Sequence, residues 1–150
     1  MSTQANIVAF DGAATPVTHT LVPVSNKVVK ESAIAEWGER LSTLPLIAQV
    51  SARMVQNKLK DGRWLVSFSS MIPVMEAVNG ANSSGYTAAP KVAYSVPITT
   101  TAYFPERATP AERKLVRQLH LNIMGGITTS VTPVTTGPCA EAFDNNIFPS

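Results

Sequence analysis

From Leu46 to Met54 every second residue of this chain is apolar (Leu46, Ala48, Val50, Ala52, Met54), with Gln49, Ser51 and Arg53 set between them. The alternation resumes beyond Asn57–Gly62. Trp64, Val66 and Phe68 fall on one side and Arg63, Ser67 and Ser69 on the other, Leu65 being the exception. A period of two marks a half-buried antiparallel strand, because successive side chains leave a pleated strand on opposite faces. The linking Asn-Lys-Leu-Lys-Asp-Gly has the chemistry of a hairpin turn. These strands dictate a sheet with one apolar face, which needs a cover. The other face, of small polar residues and arginines, is open to an anionic partner.

At 150 residues the chain has the length of a single domain, enough to bury about 70% of its unfolded surface. Twelve Lys and Arg against ten Asp and Glu give a net charge of +2, too mild for a polybasic tail or membrane anchor. No apolar stretch approaches the roughly 18 residues of a membrane span, and Met1–Asn6 lacks the charged and apolar regions of a secretory signal. Cys139 is the sole cysteine, so no internal disulfide forms. Charged residues make up 15% and apolar residues 45% of the chain, against a usual charged share of about a quarter. A surface so poor in charge points to an obligate oligomer, whose interface resembles a divided core.

Ile7–Phe10 and Val17–Val24 read as an N-terminal hairpin about Asp11–Pro16, with Thr18 and Thr20 alternating with Val17, His19 and Leu21. Ser25–Lys30 reads as a connection, and Ala33–Leu41 stays open between strand and helix. Pro73 to Pro90 holds Asn79, Gly80, Asn82, Gly85 and Tyr86 and reads as a long exposed loop, a feature that is usually functional. Lys91–Phe104 reads as a further strand in which Pro97 demands an edge position or a bulge.

The period then changes. Thr109-Pro110-Ala111-Glu112 carries an N-cap, a proline at the first helical position and a capping-box glutamate. Leu115, Val116, Leu119 and Ile123 form one helical stripe, Arg113, Lys114 and Arg117 fall on the other side as a solvent-facing cluster, and Gly125-Gly126 ends the helix. Pro138–Asn146 reads as a short second helix. The order predicts an α+β domain: an N-terminal hairpin, an antiparallel sheet of about five strands, and C-terminal helical cover. A helix of about 15 residues spans only about 22 Å, too little for such a sheet. A second copy lending its helix, with Leu115, Val116, Leu119 and Ile123 in the contact, would complete the layer as a homodimer.

In this order the chain resembles the coat proteins of single-stranded RNA bacteriophages, the levivirus group. The likeness is carried by Ala35-Glu36-Trp37 before the long strands, Val50-Ser-Ala-Arg53 with its basic turn, Ala93-Tyr94 in the last strand, and Thr109–Arg117. It implies an interlocked homodimer with helices swapped over the partner's sheet, and an icosahedral shell in a virion assembled in the bacterial cytoplasm. It implies, too, a sheet lining the interior that binds genomic single-stranded RNA, including a hairpin that silences replicase translation. Carried onto this sequence, the RNA face comprises Gln49, Ser51, Arg53, Arg63, Leu65, Ser67 and Ser69, with Tyr94 as a base-stacking aromatic. Strand parity sets Tyr94 with Val96 and Ile98 on the covered face unless a bulge at Pro97 reverses it. Asn79, Gly80, Asn82, Gly85 and Tyr86 would form the loop between dimers. Ile127–Thr136 departs from the family pattern by separating the two helices.

The sequence lacks G-x-S-x-G, P-loop, H-E-x-x-H and dinucleotide-turn motifs, so no enzyme and no cofactor is expected. His19 and His120 are not spaced as metal ligands, Trp37 and Trp64 read as core, and Cys139 lacks a base nearby in sequence. A cellular α+β RNA-binding adaptor and a shell protein without nucleic-acid affinity are the competing readings.

Overall fold

In the computed structural model of the chain, residues 3–77, 80, 83–89 and 91–150 are described. Six antiparallel strands lie side by side in chain order: β1 Ile7–Phe10, β2 Thr18–Val29, β3 Ser32–Gly38, β4 Ser51–Lys58, β5 Trp64–Met75 and β6 Val92–Phe104. Two helices follow, α1 Pro110–Gly125 and α2 Pro138–Asn145. The expected α+β architecture is present with one strand more than the alternation indicated.

The extra strand is β3, in the segment left open between strand and helix, and its partner is 25–29, expected as a connection. These residues continue β2 and pair with Ser32–Glu36. The link is a two-residue turn in which Lys30 takes a positive φ of 57°, and neither Lys30 nor Glu31 announces such a turn by composition. At the other end, the Asp11 carboxylate accepts the backbone N–H groups of Ala13 (3.2 Å) and Val17 (2.9 Å), fixing the β1–β2 turn. The alternation from Leu46 also starts too early. Leu46–Ala48 is a single 3₁₀ turn after Pro45, and the strand begins at Ser51.

One sheet face is covered. Trp37, Met54 and Val66 are buried there with Leu21, Ala35, Ala52 and Phe104. The lid is α2: Ala142 and Phe143 close the cluster, with Phe143 edge-on to Phe104 at 6.4 Å between ring centres. The Trp37 indole N–H donates to the Ala5 carbonyl at 2.9 Å. Beyond α2 the chain returns to the sheet, where Asn26 donates to the Pro149 carbonyl and Gln4 N–H donates to the Ser150 carbonyl.

Helix α1 has the cap its sequence specifies. Thr109 and Glu112 form both halves of the capping box, and Gly126 ends the helix at φ 61°. Its orientation overturns the solvent-facing reading of the basic cluster. Arg113 is buried, its guanidinium 5.6 Å from the Phe104 ring centre. Arg117 donates to both Asp144 carboxylate oxygens at 2.8 Å and to the Val134 carbonyl at 2.6 Å. The cause is α2, which presents a buried carboxylate that only this side of α1 can pair.

Candidate nucleic-acid interface

The face opposite the core is built by register. Glu36, Arg53, Ser69 and Thr99 oppose one another across β3 to β6. The next row is Ile34, Val55, Ser67 and Thr101, and the next contains Asn57, Leu65 and Tyr103. On the other side of the Arg53 row lie Ser51, Met71 and Pro97. Because side chains alternate along each strand, these rows share one face, while Ala52, Met54 and Gln56 between them are buried against the core.

Short hydroxyls and tethered charges furnish this face. The Ser67 and Thr101 hydroxyls lie 3.1 Å apart. Glu36 sits between Lys27 (3.9 Å) and Arg53 (3.8 Å). Arg63 donates from Nε to Asp61 at 2.7 Å, with its terminal nitrogen at 2.6 Å from the same oxygen. That contact holds the Asp61 carboxyl below its ordinary range and raises Arg63, the side-chain hydrogen bond being the largest cause in both. Half-exposed ion pairs of this kind contribute little stability, so a phosphate can take either arginine without a large loss.

Of the residues assigned to this face from sequence, Ser51, Arg53, Leu65, Ser67 and Ser69 lie on it, and Arg63 stands at its rim in the β4–β5 turn. Two do not. Gln49 is 5% exposed; its amide donates to the Leu41 and Leu44 carbonyls and accepts the Leu41 N–H, so it ties the 39–50 connection together. Tyr94 pairs with Val74 in unbroken register from Trp64–Phe104, and the register shift between β5 and β6 lies beyond it, at Val74/Met75. Pro97 is accommodated by the edge position of β6 without a bulge. Tyr94 therefore keeps the parity of Phe104, on the covered side. The aromatic that reaches the open face from β6 is Tyr103, with Thr99 and Thr101. Counting parity back from Phe104 would have found all three.

The other assigned groups fall as follows. Leu115, Val116, Leu119 and Ile123 are 69%, 49%, 54% and 70% exposed. Of the four only Val116 lines the groove of about 1080 Å³ between α1 and the end of β6, where it joins Phe68, Phe104, Arg113, Arg117 and Phe143. In the long loop, Gly80 and Gly85 have φ of 76° and 78°, values that favour glycine, and Tyr86 is exposed; Asn79 and Asn82 lie outside the described residues. The Glu76 N–H donates to the Lys91 carbonyl at 2.8 Å and closes the loop's base. Burial pushes the Cys139 thiol up to about 11, the wrong direction for a nucleophile. Trp37 is core, and Trp64 packs at its margin under Lys58. His19 lies between two carboxylates, 2.7 Å from Glu39 and 3.5 Å from Asp11.

Among solved structures, the chain is similar to the virus-like particle of bacteriophage EMS014, with 29% identity over 97% of both chains and a TM-score of 0.69. It is similar too to that of bacteriophage ESE058, with 26% identity over 97% of this chain and 98% of the other and a TM-score of 0.67. The bacteriophage GA capsid protein, 19% identical over 95% of both chains, shares the fold at a TM-score of 0.54. No curated protein matches the sequence. The levivirus coat protein family matches residues 2–138. A six-stranded sheet with one open polar face and two C-terminal helices, matched by this family along nearly its whole length, makes the chain a member of the levivirus coat proteins, structural rather than enzymatic.

Proposed function

We propose that this coat protein forms interlocked homodimers that assemble into an icosahedral virion shell and hold single-stranded genomic RNA on the open sheet face. One observation carries the dimer: α1 is inverted with respect to its own chain. Its cationic side is spent on Phe104 and Asp144, while its apolar side, with Leu115, Leu119 and Ile123, is left exposed. A contiguous apolar surface of this kind marks an interaction site. The edge of β6 is likewise unpaired, a ready place for a second copy's strand. A two-fold pairing would seat each α1 on the partner's sheet and satisfy both surfaces at once.

The RNA reading rests on the open face. Arg53 and Arg63 are half-exposed, and arginine forks suit phosphate oxygens. The hydroxyl rows let nucleotides lie close to the strands. A hairpin with unpaired loop bases is the form in which such a face would repress translation. Glycines at Gly80 and Gly85 and the exposed Tyr86 suit the β5–β6 loop to contacts between dimers, where one sequence must fit more than one environment.

The test is expression of the chain alone, followed by electron microscopy and nuclease digestion. Closed particles with protected RNA are expected. Empty shells would remove the RNA reading, and discrete dimers that never close would return the chain to an adaptor role. In soluble protein, Arg53→Ala should lower the salt slope of RNA binding by about 0.7; an unchanged slope would detach Arg53 from the phosphates.

A further inference from the structure

At the β4–β5 turn end of the open face, Asn57, Leu65 and Tyr103 stand side by side on three adjacent strands. Tyr103 is 54% exposed, and the Arg63 guanidinium carbon lies 5.6 Å from its ring centre. Asp61 accepts from that guanidinium at Nε and lies beside a terminal nitrogen, which directs it toward the Tyr103 ring. Asn57 accepts the Ser32 hydroxyl on Oδ1 at 3.1 Å, which orients the amide and leaves its NH₂ as a donor.

We propose that Tyr103, framed by Arg63, Asn57 and Leu65, is a stacking platform for an unpaired nucleobase of single-stranded RNA. This rests on the RNA reading above and adds to it a site for the base rather than the phosphate. A phenol ring on a strand offers a flat surface at small entropic cost, and stacking is tolerant of sequence because every base has a π face. The neighbouring guanidinium supplies a cation for the adjoining phosphate. The ion pairs described on this face join Lys27, Arg53 and Arg63 to two carboxylates, Glu36 and Asp61, a balance that favours a polyanion over a protein strand. A second copy extending the sheet beyond β6 would occupy the strand's edge and leave its open face, with Tyr103, uncovered.

The experiment uses soluble full-length protein, a 12-nucleotide oligoadenylate and an abasic phosphodiester of equal length, read by fluorescence anisotropy at two salt concentrations. Tyr103→Leu, which keeps bulk but loses the π face, should weaken oligoadenylate binding about 5- to 100-fold. The salt slope and the abasic affinity should not change, and Tyr103→Phe should bind as the wild type does. If the wild type binds neither probe, the RNA reading itself falls. If it binds both, Arg53→Ala weakens them, and Tyr103→Leu matches the wild type, the platform is overturned and the RNA reading stands. Should Tyr103→Leu not fold, the wild type decides: a 4-thiouridine oligomer should photocrosslink at Tyr103, and crosslinks confined to other residues would overturn the proposal.

Discussion

Leu119→Ala isolates the dimer contact, because within its own chain Leu119 has little to lose. Fully burying a leucine contributes about 1.5–3 kcal/mol. With 54% of Leu119 still exposed, about half of that, roughly 1 kcal/mol per copy, remains to be gained from a partner. Truncation in a formed interface also leaves a cavity, which brings the cost to about 2 kcal/mol per copy and about 4 kcal/mol per two-fold dimer. That corresponds to a dimer dissociation constant raised about a thousandfold. Met54→Ala is the contrast: Met54 is fully buried in its own chain, so its loss of about 2–5 kcal/mol is independent of any partner. The assay is urea unfolding of unassembled protein at concentrations a hundredfold apart, with sedimentation to fix the oligomeric state. If folded dimer and unfolded monomer are the end states, the wild type should gain about 2.7 kcal/mol across that range. A concentration-independent midpoint, with Leu119→Ala within the roughly ±0.5 kcal/mol of an ordinary surface substitution, would refute the reasoning.

Four further outcomes are expected. The hydrogen bond to Glu39 raises the His19 pKa above 6.5; its stabilisation is therefore full below that value and lost as pH rises through the raised one, so the unfolding midpoint should fall on the alkaline side in the wild type and stay flat there in His19→Asn. Asp11 works in the opposite sense, because the Val17 and Ala13 N–H groups lower its pKa and its contribution is lost as pH falls through that depressed value, which Asp11→Ala should abolish in acid titrations. Arg117→Ala should cost about 3 kcal/mol by leaving Asp144 buried and unpaired, measured by chemical denaturation, with Asp144→Asn less costly. Shortening the loop between Glu76 and Lys91 should leave dimers intact by sedimentation and change particle size or stop assembly in electron micrographs; normal particles would contradict its place between dimers.

Local patterns carried much of the fold. The alternation of Ala52, Met54, Val66 and Phe68 and the capping box at Thr109–Glu112 each depend on a few neighbouring residues and appear where the sequence puts them, while the turn expected at Asn57–Gly62 starts two residues later, because β4 runs on to Lys58. The open face was legible for the same reason, since parity within one strand assigns Ser51 and Arg53, or Ser67 and Ser69, to a single side. Gln49 and Tyr94 leave that face for different reasons. Gln49 keeps the strand's parity but ends the 3₁₀ turn Leu46–Ala48, and its amide is spent on the Leu41 and Leu44 carbonyls before that turn. Tyr94 follows the strand parity that sets it with Val96 and Ile98, because β6 pairs with β5 in unbroken register from Phe104 back to Tyr94; only the resemblance puts it on the open face.

The orientation of α1 is of another kind. The sequence by itself determined that the helix has an apolar and a cationic side, because a 3.6-residue period is a property of the segment alone. Which side turns toward the chain's own body was decided only by the tertiary structure. Asp144 and the Phe104 ring, brought together from α2 and β6, hold Arg117 and Arg113 against the chain's own body. Once those contacts form, the geometry of a helix forces Leu115, Leu119 and Ile123 outward, away from the chain's own body.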